Sequence, residues 1–325
     1  LERCINVKRG DDRKFSGFLQ ELASGGVDNL IMMDVNPAYS VDGFDLTKAG
    51  FTLYMGTALN ETAEASKVLC PIPHYLEAWG DAEPVNGSYS LQQPCIHPIF
   101  NTRSFQDSLL AWSGVETSDS ELLEQWWKDN IAPPGERGEK QWWVKTLQAG
   151  FYEDERTPMP ASESYKAPEV EIRAPQVDMA LTLYSTVALN DGRYANNPWL
   201  QELPDPITKA CWDNYLLVSK SDAALLELED EMVVSLNGIE MPVIIQPGQA
   251  PGTASLALGY GRTKAGKVGE KLGANAYPFV KFVDGNRSYE LDGISIEKTR
   301  KTYPIARTQT HHTMEGRPIV CLLYT

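Results

Sequence analysis

Three short apolar runs, Asn29-Leu-Ile-Met-Met33, Phe51-Thr-Leu-Tyr-Met55 and Val68-Leu-Cys70, alternate with stretches of helical character. This alternation constrains the fold more than any other feature of the chain. Phe18, Leu19 and Leu22 share one face of a helical stretch from Phe15 to Ser24, which Gly25-Gly26 closes. Asp34-Val-Asn-Pro37 ends the first run. Asn60 is placed to cap a second helix, with Glu61 and Glu64 in its first turn at the positive end of the helix dipole. Strands joined through helices pair in parallel and need cover on both faces. Residues 1–115 are therefore expected to form a Rossmann-like α/β domain.

Beyond the third run the character changes twice. The stretch from His74 to Pro94 is polar and rich in Gly and Pro, and reads as an irregular segment at a strand's carboxyl end, where α/β proteins hold ligands. Residues 116–170 read as an insertion and polar linker. Trp126-Trp127 and Trp142-Trp143 flank the Pro133-Pro-Gly135 turn in what looks like a helical hairpin. One tryptophan of each pair packing inward would join the helices; the alternative is a docking surface, since aromatic residues are enriched in interface cores. Residues 171–208 are expected to return to the α/β domain. From residue 209 to 325 the period becomes two. Met232–Leu236 and Met241–Gln246 flank Asn237-Gly238, the strongest short turn signal, and Thr253–Leu258 follows another turn. A small β-barrel is expected there.

Composition narrows the function classes. A formal charge of −15 over 325 residues opposes nucleic-acid phosphates and suits solubility or a basic protein partner. No apolar run reaches the length of about 18 residues that a membrane helix needs. The opening Leu-Glu-Arg-Cys-Ile-Asn-Val-Lys has no signal pattern and reads as the middle of a longer chain. Cys4, Cys70, Cys95, Cys211 and Cys321 include no C-x-x-C pair, so no metal ligand or cluster ligand is expected in this segment.

Several constellations invite chemistry and mostly fail its requirements. Gly261-Arg-Thr-Lys-Ala-Gly266-Lys267-Val268 approaches a phosphate-binding loop, but Val268 lacks the hydroxyl that meets magnesium. The loop is either solvated and basic, or faces some phosphate through Arg262, Lys264 and Lys267. His311-His312 would point to opposite sides of a strand and cannot chelate one ion there. His74 and His97 have no nucleophile beside them, and Asp81 with Glu83 would be the remaining acid–base pair. No catalytic residue is assigned.

Two segments carry a family resemblance. Asn60-Glu-Thr-Ala-Glu-Ala-Ser-Lys-Val-Leu-Cys-Pro71, continuing through Glu77-Ala-Trp-Gly80 to Gln93-Pro94, is similar to the "E-T-A-x-x-A-D-x-x-L-P … E-x-x-G" stretch of the molybdopterin oxidoreductase superfamily. Ala223-Ala-Leu-Leu-Glu-Leu-Glu-Asp-Glu-Met-Val-Val-Ser-Leu-Asn-Gly, with Pro247 to Gly252 and Gly259-Tyr-Gly261, resembles that family's C-terminal β-barrel domain. Within the family, His74 to Gln93, Phe105 to Ser113, Gln246 to Arg262 and Gly273 to Tyr277 look like the fused molybdopterin-like and iron–sulfur subunit of bacterial alternative complex III. The resemblance implies a non-catalytic scaffold in a periplasmic quinol-oxidising membrane complex. Its iron–sulfur clusters and haem would lie in adjoining sections or subunits. The implied partners are the iron–sulfur section of the same subunit, a multihaem cytochrome and membrane quinol-oxidising subunits. Arg262 and Asn275 fall where active relatives approach the pterin, and are the candidates for a vestigial pterin pocket. The alternative is the cofactor-binding half of a working molybdenum enzyme; a free-standing module for a phosphorylated small molecule is a third reading.

Overall fold

In a computed structural model, which describes residues 5, 6, 10–154 and 179–309, the alternating half forms as its pattern predicts. Helix α1 (Asp12–Ala23) starts where the Asp11 carboxylate accepts the amides of Arg13 and Lys14. Strands β1 (Asn29–Met33), β2 (Phe51–Gly56) and β3 (Val68–Pro71) pair in parallel in that order. The short helices α2 (Pro37–Ser40) and α3 (Glu61–Ala65) form the crossovers with a 3-10 turn, Leu46–Lys48. Their side of the sheet is closed by Met32, Leu46, Tyr54 and Ala63. The Asn60 side chain caps α3 by accepting from Ala63 N at 2.8 Å and donates to the Tyr54 hydroxyl.

The segment from His74 to Pro94 is not an irregular loop. Strands β4 (Gly80–Val85) and β5 (Ser88–Gln92) form an antiparallel hairpin turned at Gly87, whose φ of 80° suits glycine. Alternating Tyr89 and Leu91 give this polar stretch one apolar side, and they pack beneath the tryptophan-rich insertion. Helices α4 (Phe105–Ser113), α5 (Asp119–Asn130) and α6 (Lys140–Ala149) then lead into β6 (Phe151–Glu153), which completes a three-stranded sheet in the order β4-β5-β6. Trp127, Trp142 and Trp143 form a separate small core with Ile131 and Ala132, while Trp126 stays 48% exposed. On α5 one tryptophan of the pair packs inward, as the inward-packing reading expects; on α6 both do. Trp127 donates its indole N–H to Asp81 Oδ2 at 2.8 Å and meets Trp143 edge-on at 6.1 Å between centroids.

The second half is a seven-stranded mixed sheet. It comprises β7 (Ala180–Ser185), β8 (Leu216–Val218), β9 (Met232–Leu236), β10 (Ile239–Ile245) and β11 (Thr253–Leu258). A hairpin of β12 (Lys281–Val283) and β13 (Asn286–Ser288) stands beside it, and β14 (Glu290–Asp292) and β15 (Ile296–Thr302) form its edges, giving the order β14-β7-β11-β8-β10-β9-β15. Two expectations are corrected here. The described residues close no barrel, because the edge strands β14 and β15 do not pair with each other. Residues 180–185 do not rejoin the parallel sheet; their alternating Leu181 and Leu183 enter the second sheet's core, and β7 runs parallel to β11. Asn237 and Gly238 turn the β9–β10 hairpin with φ of 49° and 84°, as the sequence predicts. Short helices α7 (Pro198–Glu202), α8 (Lys220–Leu225) and α9 (Gly266–Gly269) lie in the connections. The polar linker expected after residue 154 and His311-His312 lie outside the described residues. Among the described residues, no helix is long and apolar enough to cross a membrane.

The tryptophan core stands apart from the cores of the parallel and the seven-stranded sheets, which makes it testable alone. Trp127→Ala removes a fully buried indole and leaves Asp81 without its donor, at an expected cost of about 3–5 kcal/mol. Trp126→Ala on the same helix should stay within about 0.5 kcal/mol of the parent. Urea titration followed by tryptophan fluorescence distinguishes the two.

Candidate functional site

Asn36-Pro37 and Asn60-Glu61 follow the carboxyl ends of β1 and β2, where an open α/β sheet presents its ligand crevice. The two ends are tied together. Asn36 Oδ1 accepts from the amide and the hydroxyl of Thr62 at 3.1 and 3.0 Å, and the Thr62 hydroxyl accepts from Ala38 N at 3.0 Å. Asn36 Nδ2 is thereby aimed at Glu61 and donates to its Oε2 at 2.7 Å.

The opposite wall is the loop after β11. Gly259 and Gly261 hold φ of 101° and 68°, a region L side chains rarely adopt. A Cβ at Gly261 would lie 2.1 Å from Asn275 N, so the loop can approach the 274–275 backbone only with glycine there. That approach delivers Arg262, 5% exposed, onto Glu61. Arg262 Nε donates to both carboxylate oxygens at 2.9 and 3.0 Å, and Nη2 donates to Oε2 at 2.8 Å. Nη1 donates to Gly192 O at 2.5 Å and Nη2 also to Lys264 O at 3.0 Å. The amides of Thr263 and Lys264 donate to Glu61 Oε1 at 2.8 and 3.0 Å. The guanidinium lies 4.8 Å from the ring centroid of Tyr39, within cation–π range. Tyr39 itself enters the second sheet's core, donates its hydroxyl to Tyr260 O at 2.7 Å and meets Tyr277 edge-on.

Burial opposes the charge on Glu61, but hydrogen bonds from Arg262, Asn36 and the Lys264 amide outweigh it and bring the carboxyl down to about 2. Burial raises the Tyr39 phenol well above its usual range, so it remains a neutral donor. The site is thus a sealed anion nest whose anion is the protein's own carboxylate.

The candidates from sequence take definite places. Arg262 is engaged with Glu61 and two backbone carbonyls. Asn275 accepts from Tyr277 N at 3.0 Å and donates to Tyr39 O at 3.4 Å. The structure brings the two together around Tyr39, each engaged by groups of the protein itself. The glycines of the loop that approaches a phosphate-binding motif pack against protein: Cβ atoms at Gly266 and Gly269 would meet Asn196 Oδ1 at 2.3 Å and Ala195 O at 2.4 Å. Lys264 pairs at the surface with Glu64, and Lys267 is exposed. His74 accepts from Leu76 N and caps the 3-10 turn Tyr75–Glu77. His97 is exposed. Asp81 holds Trp127, and Glu83 accepts from Gly87 N at 2.9 Å, so the two carboxylates serve separate contacts. Cys70, Cys95 and Cys211 are free thiols. Among the described residues, no group of 3 or more His, Cys, Asp or Glu side chains is placed to hold a metal ion.

Sequence reasoning missed Asn36, Tyr39 and the partnership of Glu61. The signal for Asn36 was the Asn-Pro step directly after a strand. Nothing local marks Tyr39, or the pairing of Glu61 with a residue 201 positions away.

The described residues thus form a parallel α/β sheet followed by a mixed sheet, the two tied together at this crevice. No protein-family model matches the chain, and no curated protein is significantly similar to it. Among solved structures, acetylene hydratase from Pelobacter acetylenicus shares the fold with a TM-score of 0.63 at 13% identity, over 89% of this chain and 46% of that one. The chain therefore spans a little under half the length of that structure.

Two substitutions probe the seal. Glu61→Gln keeps the shape but strands a buried guanidinium, with an expected loss of about 3–5 kcal/mol at neutral pH. Because the folded carboxyl lies below its ordinary 4.5, the stabilisation is fully present above that pH and is lost as pH falls toward about 2. Chemical denaturation across that window should show parent and variant converging as acid is added. Gly261→Ala, with its left-handed φ and its overlap at Asn275, should lower the thermal midpoint and the soluble yield; an unchanged midpoint would contradict the close approach.

Proposed function

We propose that this chain is a non-catalytic scaffold of the molybdopterin-oxidoreductase type within a larger respiratory assembly that oxidises quinol, of the alternative complex III kind. It supports electron transfer by fixing the positions of neighbouring iron–sulfur and haem centres, on the periplasmic side of the cytoplasmic membrane. The observation that carries the reading is the closure of the crevice by Glu61 and Arg262. A guanidinium already satisfied by a carboxylate and two carbonyls would have to break a buried ion pair before it met a cofactor, and such pairs cost several kcal/mol to break. The fold shared with acetylene hydratase supports the reading at the level of architecture, and the resemblance of His74 to Gln93, Phe105 to Ser113, Gln246 to Arg262 and Gly273 to Tyr277 is what suggests alternative complex III. Fixed spacing of redox centres asks for a rigid body. The hydrogen bonds that converge on Glu61 from both halves of the chain make this a rigid joint.

The test is metal analysis of the purified native assembly, with fluorescence of oxidised pterin. Iron without molybdenum, tungsten or pterin is the expected result. Molybdenum or tungsten with pterin in stoichiometric amount would overturn the scaffold reading and return the chain to the cofactor-binding half of an active enzyme.

A further inference from the structure

Helix α5 has two unlike apolar edges. Leu123 and Trp127 turn toward the tryptophan core, whereas Leu122 and Trp126 stand exposed one turn apart. An i, i+4 pair covers a continuous strip of helix surface. With Trp79, Gly80, Gln106 and Asp119 these side chains line a cavity of about 280 Å3 between the start of β4 and helices α4 and α5. On α4, Leu109 and Trp112 are exposed as well. Solvent-facing tryptophans around a concavity resemble the aromatic anchor sites that dominate protein interfaces.

Acidic charges outnumber basic ones in this region. Asp107, Glu116, Asp119, Glu121, Glu124 and Asp129 lie on or between α4 and α5, and the single cation of that stretch, Lys128, is paired with Glu124 at 2.5 Å. Asp119 lines the cavity itself, and the surplus of negative charge on α4 and α5 disfavours acidic partners and draws basic ones by long-range attraction.

We propose that this groove receives a segment of a basic partner protein, seating an aliphatic or aromatic side chain among Trp79, Leu122 and Trp126 while its Lys and Arg residues face Asp119 and the other acidic side chains of α4 and α5. The inference deepens the scaffold reading by giving its contact surface a partner chemistry. Its test does not depend on the pterin content, so the two can fail separately. A fluorescein-labelled helical peptide with Leu along one face and Lys elsewhere is titrated into the full protein and followed by anisotropy, beside a peptide carrying Glu in place of Lys. Binding of the Lys peptide alone is expected, weakening as salt rises from about 0.05 to about 0.5 M. Leu122→Ser and Trp126→Ala should each weaken it at least tenfold with unchanged melting temperature, because both side chains are exposed. Trp199→Ala, at an exposed tryptophan outside the groove, should leave it unchanged. No binding of the Lys peptide, or binding that survives both groove variants, would overturn the proposal, since net charge alone would then account for any attraction.

Discussion

The ion pair between Glu61 and Arg262 is the joint on which the two halves of the molecule depend. Its partners sit at the start of α3 and in the loop after β11, on connections of two different sheets, and no local preference brings them together. Once the pair forms, the loop after β11 is fixed by the amides of Thr263 and Lys264 on one oxygen. Asn36 and Arg262 hold the other. Tyr39 is then clamped between Arg262 and Tyr277, which carries the first half into the hydrophobic core of the second. A buried ion pair is a poor source of net stability, because desolvating two charges offsets most of their attraction. Its effect is selective: a misplaced approach of the halves leaves one charge buried and unpaired, so one geometry is strongly preferred. A further contact between the halves, Asp12 with Arg287 beside Phe15 and Phe282, is more exposed and more easily exchanged for water.

The tryptophan insertion follows a different logic. Its small core is made almost wholly of its own residues and the β4–β5 hairpin, so it is an annex built on the antiparallel β4-β5-β6 sheet. An annex of this kind leaves the main joint unperturbed, and its free surface can vary without cost to the fold. That separation is what allows α5 to carry an exposed Leu122–Trp126 edge while Trp127 is fully buried.

Much of the fold was legible because it rests on local chemistry. The cap at Asn60, the three strands of the parallel sheet and the Asn237-Gly238 turn all form where neighbouring residues dictate. Features that depend on distant partners were not legible. The His74–Pro94 stretch reads as a loop because half of every strand in a two-sided sheet is polar, and the apolar half finds its partner only at Trp127 and Trp142. Likewise the segment 180–185 carries no mark that it pairs beside β11 rather than beside β1. At the candidate site the sequence offered Arg262 and Asn275 as pterin neighbours, whereas the engagement of Arg262 with Glu61 and of Asn275 with Tyr39 could not be read along the chain, because the partners lie 201 and 236 positions away.

A phosphate and a carboxylate present the same demand to a protein, namely converging N–H donors and a planar cation. The loop from Gly261 to Lys267 meets that demand, which is why its sequence approaches a phosphate-binding motif. What decides whether such a nest binds a ligand or closes on itself is the presence of an internal anion of matching reach. Glu61 supplies one, held at the proper distance by Asn36 and by the first turn of α3. Its carboxyl, brought down to about 2, remains charged at any physiological pH and keeps the nest filled. The same glycines that would let a phosphate approach the backbone instead let Asn196, Ala195 and Asn275 do so. A motif read along the chain specifies a shape complementary to an anion, and the choice between a bound ligand and an internal side chain is made in three dimensions.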